Sequence, residues 1–224
     1  MGKGDRYRPV DFTKWSEGWD RIWGSTMPLE QPEFKKFPKI TRFSRPIIIT
    51  EKIDGTNGQI YIDDHGNIFA GSRNRWLTIE EDNHGFCAWV MKHREELIEG
   101  LGPGRHYGEW WGQGINRGYG LTEKRFSLFN VQRWIPPEAV YIDYPCVEGP
   151  AVQWAPAYCS VVPILEVCED FETDIILATL ALLEHEGSRA APGFMRPEGI
   201  VICHVPSGHL YKKTIEHDDE GKPV

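Results

Sequence analysis

The chain has 224 residues, of which 40% are hydrophobic, and its formal net charge at pH 7 is -8. This length and composition fit one good-sized globular domain, and the acidic balance argues against a protein that holds nucleic acid through a broadly basic face. The absence of a run of about 18 apolar residues excludes a transmembrane helix, and the lack of an apolar stretch behind the basic N-terminus predicts a cytoplasmic protein without membrane partners.

The first 34 residues are rich in tryptophan, glycine and proline but show no sustained hydrophobic period. We therefore expect residues 1–34 to form an irregular lead-in that packs on the domain that follows. Within it, Trp15, Trp19 and Trp23 recur every four residues, as on one face of a short helix. Core packing is the favoured interpretation of these rings, and stacking on nucleic-acid bases is the alternative.

An isoleucine-rich run, residues 46–51, forms the first predicted strand. A hairpin follows, in which Ile60 and Ile62 alternate on one side, residues 64–67 supply the turn, and the return begins at Ile68. The next element is a helix from a cap at Asp82 or Asn83 to about Glu99, because apolar residues recur there at helical spacing. The remaining predicted elements are strands 105–111 and 125–131, a helix from Asp174 to about Glu186, strands 198–205 and 209–215, and a frayed acidic tail, residues 216–224. Without a repeat or a long linker, this order predicts one α+β domain over residues 35–215.

The five cysteines are odd in number and spread along the chain without a C-x-x-C pair. A disulfide framework and a zinc knuckle both need closer or paired spacing, so we expect buried, reduced thiols. A zinc site formed by Cys203, His204 and distant cysteines is a weaker alternative, because no chelating spacing supports it.

The sequence EKIDGTNG places Lys52 at the end of the first predicted strand, followed by a carboxylate and a glycine turn. A lysine amine is a nucleophile only when neutral, so neighbouring cations or partial desolvation must favour that form. Lys212 or Lys213 on the last strand is the candidate neighbour. An isolated K-x-D-G is more often a surface turn, but the strands on both sides favour an amine held inside the fold.

Three further segments carry residues that suit a nucleotide site. Glu109 in RHYGEWWG is costly to bury alone, so it is either an edge-strand residue that reaches solvent or a ligand for a hydroxyl or cation. Phe126 in RFSLFNV either packs in the core or stacks on a purine. Glu198 in RPEGIVI suits a magnesium ion or the orientation of a lysine. Two basic segments, residues 35–45 and 72–76, can hold phosphates despite the acidic net charge.

The chain resembles the covalent nucleotidyltransferases, which comprise ATP-dependent ligases and mRNA capping enzymes, in the order of six motifs: EKIDGTN, GSRNRW, YGEWWG, RFSLFNV, PEGIVI and LYKKT. It most resembles the ATP-dependent RNA ligases, in which the nucleophile motif typically continues as Gly-Thr-Asn. DNA ligases and capping enzymes usually carry an arginine where this chain has Asn57. The preceding FKKFPKITR is similar to the entry segment of RNA ligase domains. The resemblance covers roughly residues 35–214 and implies an ATP-grasp-like adenylation domain of antiparallel sheets with flanking helices.

The resemblance implies a role for each matching residue. Lys52 would attack the α-phosphate of ATP and form lysyl-AMP, and Glu198 would bind a divalent metal, Mg²⁺ or Mn²⁺, or orient Lys52. The other implied contacts are Glu51 and Ile53 beside the adenine, Asn57 on the phosphate of the adenylylated intermediate, Arg73 on phosphate or the polynucleotide end, Glu109 on the ribose, Phe126 stacked on the adenine, and Lys212 or Lys213 on the α-phosphate. The implied activity is the joining of 5′-phosphate and 3′-hydroxyl RNA ends, as in RNA repair, by an enzyme that we expect to be a monomer.

Two features differ from the family pattern. Lys212 and Lys213 are adjacent where a Lys-x-Lys alternation is common, so only one of them can face the nucleotide, and we favour Lys213. In addition, 11 residues follow Lys213. That leaves no room for the OB-fold domain of DNA ligases and capping enzymes, or for the C-terminal helical domains of the larger RNA ligases.

Three other functions stay open at this point. The nearest is a DNA ligase or a sealer of DNA or DNA/RNA nicks, because contacts to the 2′-hydroxyl decide that specificity. A capping guanylyltransferase is less favoured, given Asn57 and the missing second domain. A non-catalytic module that binds nucleotides or strand ends is least favoured, because every charged motif residue is present.

Overall fold

The computed structural model describes residues 13–14, 17–18, 33–40, 42–135, 153–216 and 218. The chain divides into two units, Met1–Ile40 and Thr41–Val224. In the first unit, residues 13–14 and 17–18 are helical, and residues 33–40 are exposed and without regular structure. The three tryptophans of the predicted lead-in lie outside the described residues.

The described part of the second unit forms two main sheets, one short strand pair and three helices. In chain order the elements are β1 (Ile47–Lys52), β2 (Thr56–Ile62), β3 (Ile68–Gly71), α1 (Phe86–Lys92), α2 (Arg94–Leu101), β4 (Gly104–Gly112), β5 (Lys124–Leu128), β6 (Trp134–Ile135), β7 (Gln153–Trp154), β8 (Cys159–Val161), β9 (Ile164–Cys168), α3 (Thr173–Glu186), β10 (Gly199–His204) and β11 (His209–Thr214). The first sheet has the order β11-β10-β1-β9 and the second β3-β2-β4-β5-β8. Both are antiparallel except where β5 meets β8, and β6 pairs with β7 in parallel. The predicted α+β class is confirmed.

Strand β1 is buried on both faces, which explains its unbroken isoleucine run. Ile47 and Ile49 are fully buried in a cluster with residues of α3 and β10. Ile48 points the other way, into the core that the second sheet shares. Because side chains alternate along a strand, Lys52 lies on the face of Ile48, turned away from α3.

The second sheet is covered by a helix on one face, which we call the helix face. Phe86 of α1 packs there on Phe126 and Trp110, with ring centroids 5.1 and 5.4 Å away. Gly58 lies beneath these rings, where a Cβ atom would come within 2.8 Å of Phe86. The strand therefore needs glycine at that position so that the aromatic side chains can pack against its backbone.

The opposite face of the second sheet carries polar side chains. Residues directly opposite each other in a ladder share a face, and Glu109 lies opposite Asn57 on one side and Ser127 on the other. We call this the Glu109 face. At one end Trp111 donates a hydrogen bond to Ser127 and packs edge-on against Tyr119. The other end of this face is open to solvent.

Most predicted elements of the second unit are present within a few residues of their expected bounds. The single helix expected between residues 82 and 99 is wrong, because His93, with φ -107° and ψ 24°, separates α1 from α2. The N-cap is Gly85 and not Asp82 or Asn83, although the Asp82 carboxylate accepts the N–H groups of Cys87 at 2.7 Å and Ala88 at 3.0 Å in the first turn of α1. The sequence pattern does not predict β6, β7, β8 or β9. Among the described residues, no helix has the length and apolar character needed to cross a bilayer.

Four of the five cysteines lie in the described part of the chain. Cys87, Cys159 and Cys168 are buried free thiols, and Cys203 is a half-buried one. Burial raises the pKa of all four thiols. The expectation of buried thiols is confirmed for the first three, and Cys146 lies outside the described residues.

Candidate active site

The site centres on an ion pair at the end of β1. Lys52 closes that strand and lies opposite Gly199, the first residue of β10, so Glu198 comes beside it. The Lys52 Nζ atom donates to Glu198 Oε2 at 2.6 Å, and the two side chains are 25% and 20% exposed. The amine predicted to act as a nucleophile is therefore held by a carboxylate at a place that a ligand can reach.

Glu109 belongs to the other sheet, and the turn after β1 binds it. Its Oε1 accepts the Gly55 N–H at 3.0 Å, and its Oε2 accepts a weaker bond from Asn57 Nδ2 at 3.4 Å. This approach needs a glycine, because a Cβ on Gly55 would lie 2.5 Å from the Trp110 carbonyl oxygen. Burial raises the pKa of Glu109 to about 7, against the opposing effects of Lys52 and the Gly55 N–H. Glu109 is thus a buried carboxyl that can exchange its proton near neutral pH.

Three residues that the sequence analysis did not single out hold the turn after Lys52. Asn116 Nδ2 donates to Asp54 Oδ1 at 2.8 Å and to the Gly55 carbonyl at 2.7 Å. Arg117 Nε donates to Asp54 Oδ2 at 3.1 Å, and the Tyr119 hydroxyl accepts the Asp54 N–H at 2.8 Å. All three lie in GQGINRGYG, where the glycines indicate a loop. The polar side chains between those glycines are the signal that could have identified them.

Arg117 also connects segments that are far apart in the sequence. Its Nη1 donates to the Arg196 carbonyl at 3.1 Å, just before β10, and its Nη2 donates to Glu216 at 3.0 Å, just after β11. Asp218 accepts Lys213 Nζ at 2.6 Å. The predicted acidic tail is therefore not frayed at Glu216 and Asp218, the two of its residues that the structure describes.

Glu51 and Ile53 have their side chains turned into the protein. The Glu51 carboxylate accepts the Ser188 hydroxyl at 2.6 Å and the N–H groups of Arg189 and Ala190, both at 2.8 Å. Its own N–H donates to the Pro163 carbonyl, and burial raises its pKa. Ile53 is 4% exposed. A position beside adenine stays a prediction for both residues.

A shallow groove of about 260 Å³ opens on the Glu109 face next to Asn57. Arg73, Tyr107 and Phe129 line it, together with Gly58, Gln59 and Ser72. Arg73 is exposed, as a residue that meets phosphate must be. The Asn57 amide joins this groove to Glu109.

The structure corrects the expectation for Phe126. Its ladder partner is Trp110, not Glu109, so its ring lies on the helix face of the sheet. There it is 0% exposed and packed on Phe86, and it offers no open surface to a purine. The aromatic residue of the same motif on the Glu109 face is Phe129, which is 38% exposed. The choice between core packing and stacking is thus decided for Phe126 in favour of the core.

The preference for Lys213 over Lys212 is also reversed. In the ladders, Lys213 lies opposite Ile200, which lies opposite Glu51, on the face turned towards α3. Lys212 lies opposite Val201, on the face that Lys52 shares. Lys212 is therefore the lysine that β11 directs to the Lys52 side of the sheet.

The described residues contain no group of three or more His, Cys, Asp and Glu side chains that could hold a metal ion by themselves. Glu198, whose side chain is 20% exposed, is the carboxylate that contacts Lys52. The alternative zinc centre gains no support at His204, whose ring nitrogens lie 2.7 Å from Ser207 Oγ and 3.2 Å from the Phe43 carbonyl.

A family model described as RNA ligase matches residues 45–212, which is most of the chain. That range contains the Lys52, Glu109 and Glu198 segments and ends at Lys212. No curated protein sequence matches the chain.

Similar folds are found among solved structures of Naegleria gruberi RNA ligase. A lysine-to-alanine variant with ATP and Mn has a TM-score of 0.52 and 20% identity, over 76% of this chain and 50% of that one. A glutamate-to-alanine variant with ATP and Mn has a TM-score of 0.52 and 19% identity, over 81% and 53%. A lysine-to-methionine variant with AMP and Mn has a TM-score of 0.52 and 20% identity, over 77% and 50%. At this identity the likeness shows a shared fold, and the chain spans about half the length of these ligase chains.

Proposed function

Because the chain belongs to the RNA ligase family, we propose that it is an ATP-dependent RNA ligase that joins a 5′-phosphate end to a 3′-hydroxyl end. The observation that carries this proposal is the 2.6 Å contact between Lys52 Nζ and Glu198 Oε2. The turn that follows Lys52 also binds Glu109 through the Gly55 N–H. A partly exposed lysine fixed at the end of a buried strand is suited to form a covalent intermediate with a nucleotide once its amine is neutral.

In the first step Lys52 attacks the α-phosphorus of ATP. The neutral amine forms an N–P bond while the bond from that phosphorus to the bridging oxygen of pyrophosphate breaks, pyrophosphate leaves, and one amine proton passes to solvent water. The Glu198 contact keeps the amine in one place, which reduces the entropy lost on reaching the transition state. Charge develops on the non-bridging oxygens, and Arg73 and Lys212 are the cations that we assign to stabilise it.

We assign recognition of the nucleoside to Glu109 and to the groove beside it. A Glu109 carboxylate can accept a hydrogen bond from a ribose hydroxyl in place of the 3.4 Å contact with Asn57. Asn57 is then free to bond the phosphate of the intermediate. Phe129 supplies the aromatic surface for the adenine, because it is a partly exposed ring of the groove and belongs to the RFSLFNV motif.

A divalent metal ion, Mg²⁺ or Mn²⁺, fits Glu198 when ATP is bound. Mg²⁺ in proteins commonly takes one or two carboxylates, substrate phosphate oxygens and several waters, so one glutamate suffices on the protein side. When bound, the ion neutralises charge on the phosphates. The Naegleria gruberi ligase structures with ATP or AMP and Mn support this choice of nucleotide and ion.

Two further displacements complete the reaction. The 5′-phosphate oxygen of one RNA end attacks the phosphorus of lysyl-AMP, which gives an A(5′)pp(5′)RNA end and returns the Lys52 amine. The 3′-hydroxyl of the other end then attacks the 5′-phosphate, so a phosphodiester forms and AMP leaves. Both are in-line phosphoryl displacements, so the same cations serve each step.

The test is to incubate the protein with α-labelled ATP and a divalent metal, and then to add unlabelled ATP and 5′-phosphorylated RNA. We expect label on the parent protein and on a Lys92→Ala control, because Lys92 ends α1 away from the site, but none on Lys52→Ala. Label should pass from protein to RNA in the chase. A Lys52→Ala protein that still acquires label would overturn the assignment of the nucleophile.

The same assay separates the alternative functions. Matched RNA and DNA ends distinguish an RNA ligase from a DNA or DNA/RNA nick ligase, and labelled GTP distinguishes a capping guanylyltransferase. A folded parent protein that takes up no label from either nucleotide would favour a non-catalytic binding module and contradict the proposal.

A further inference from the structure

Beyond the groove, the open end of the Glu109 face carries a row of aromatic side chains. Tyr61 of β2 lies opposite Phe69 of β3 on one side and opposite Arg105 of β4 on the other. Trp76 packs beside them, with its ring centroid 6.2 Å from Tyr61 and 6.0 Å from Phe69. We call Tyr61, Phe69 and Trp76, together with Arg105, the aromatic row. Phe69 and Trp76 are 44% and 47% exposed, which is unusual for side chains of this size on a sheet.

Arg105 gives the aromatic row a fixed positive charge. Its guanidinium carbon lies 4.6 Å from the centre of the Tyr61 ring and 5.4 Å from that of Trp76. Its Nη1 donates to Gln59 Oε1 at 3.1 Å. A guanidinium held in this way keeps further N–H groups for a phosphate, while the neighbouring rings keep faces on which planar groups can stack.

The aromatic row is continuous with the candidate active site. Along β4 the residues on the Glu109 face are Arg105, Tyr107 and Glu109, and their partners on β2 are Tyr61, Gln59 and Asn57. Arg105 and Glu109 are four positions apart along the strand, which is about 13 Å. Tyr107, 54% exposed, lies between them and lines the groove. A nucleic-acid strand whose end lies at Lys52 can therefore extend over the aromatic row.

We propose that the aromatic row binds unpaired nucleotides of an RNA strand next to the end that is joined, so that the substrate class of this ligase is single-stranded RNA ends. The proposal rests on the function proposed above. Stacking needs exposed base faces, which a duplex hides between its base pairs. The combination of aromatic rings with a charged guanidinium matches bases with their phosphates, and it matches a purely apolar protein partner poorly.

The test measures binding and self-adenylylation on the same proteins. Fluorescence anisotropy with a single-stranded RNA of about ten nucleotides should give a Kd for Trp76→Ala and for Phe69→Ala that is about tenfold above the parent value. Trp76→Phe should bind more tightly than Trp76→Ala, because it keeps a ring. Tyr158→Ala is the matched control, since Tyr158 is 45% exposed but packs against His93, which lies between α1 and α2. A nicked duplex should show no difference among these variants.

Labelling by α-labelled ATP without RNA should be unchanged in every one of these variants, which also shows that they are folded. If the parent takes up no label, the proposed function fails. If label is normal and Trp76→Ala and Phe69→Ala bind the single strand like the parent, the inference about the aromatic row fails alone. If sedimentation shows a parent dimer that dissociates in Phe69→Ala while RNA affinity is unaltered, a second copy of the chain covers the row and the inference is overturned.

Discussion

Glu109 shows how burial of a single carboxyl links the site to stability. Its pKa lies at about 7, raised from an ordinary value of 4.5 by desolvation. Between those pH values the folded protein keeps a proton that the unfolded chain has lost. The free energy of unfolding must therefore fall as pH rises through this window.

We expect Glu109→Gln to remove part of that pH dependence. In the parent protein, protonation of Glu109 contributes to the free energy of unfolding, and this contribution falls by about 3 kcal/mol between the two pKa values. An amide does not titrate, so the variant lacks this pH-dependent contribution. Urea unfolding at several pH values between about 5 and 8 measures the effect as a shallower decline in the free energy of unfolding. Some decline should persist, because burial also raises the pKa of Glu51. A variant that declines as steeply as the parent would contradict the placement of this proton on Glu109.

The two phenylalanines of RFSLFNV form a matched pair for separating stability from ligand binding. Phe126 is fully buried on the helix face, so Phe126→Ala should lower the free energy of unfolding by about 3–5 kcal/mol. Phe129 is 38% exposed beside Asn57 and Arg73, so Phe129→Ala should cost much less stability and should weaken ATP binding. Chemical unfolding and the ATP dependence of self-adenylylation measure the two effects. The assignment fails if Phe129→Ala has a parental dependence on ATP.

At the scale of elements, the side on which a strand presents a residue decides its chemistry. On β11 the two adjacent lysines point to opposite faces, and the ladder through β10 places Lys212 on the face of Lys52. We expect Lys212→Ala to slow self-adenylylation by about a hundredfold, because a charge that stabilises a phosphoryl transition state is lost. Lys213→Ala should stay near the parental rate, since it removes a partly exposed ion pair with Asp218. Single-turnover labelling gives both rates, and the reverse order would refute the face assignment.

The same alternation explains what could be predicted from the sequence and what could not. The strand before Lys52 and the hairpin after it follow from hydrophobic period and turn residues, which are local. The face of Phe126 depends on the register between β4 and β5, and that of Lys212 on the registers of β11 with β10 and of β10 with β1, which lies far away in the sequence. Period 2 gives two faces but does not say which one meets the nucleotide. The contacts of Asn116 and Arg117 with the turn after Lys52 could not be predicted from hydrophobic period, because loop residues follow no such period.

For the molecule as a whole, the acidic charge limits how RNA can be held. The net charge of -8 leaves a few local cations for phosphates, which we take to be Arg73, Arg105 and Lys212. A single strand that releases counterions at three sites should show a slope of log K against log salt of about -2. Arg105→Gln should make this slope shallower. Trp76→Ala should lower the affinity for RNA at every salt concentration and leave the slope unchanged. A parental slope that corresponds to six or more phosphates would exclude this mode of binding.

Arg117 touches Asp54, the Arg196 carbonyl and Glu216, which belong to the turn after β1 and to the chain just before β10 and just after β11. Strand β11 is the edge of its sheet and mostly exposed, so by itself it would be among the first parts to open. Its opening would withdraw Lys212 and break the contact of Arg117 with Glu216 in the same event. Under the proposed function, a molecule loosened in this way would lack one cation for the α-phosphate, so Arg117 links the integrity of this sheet edge to self-adenylylation.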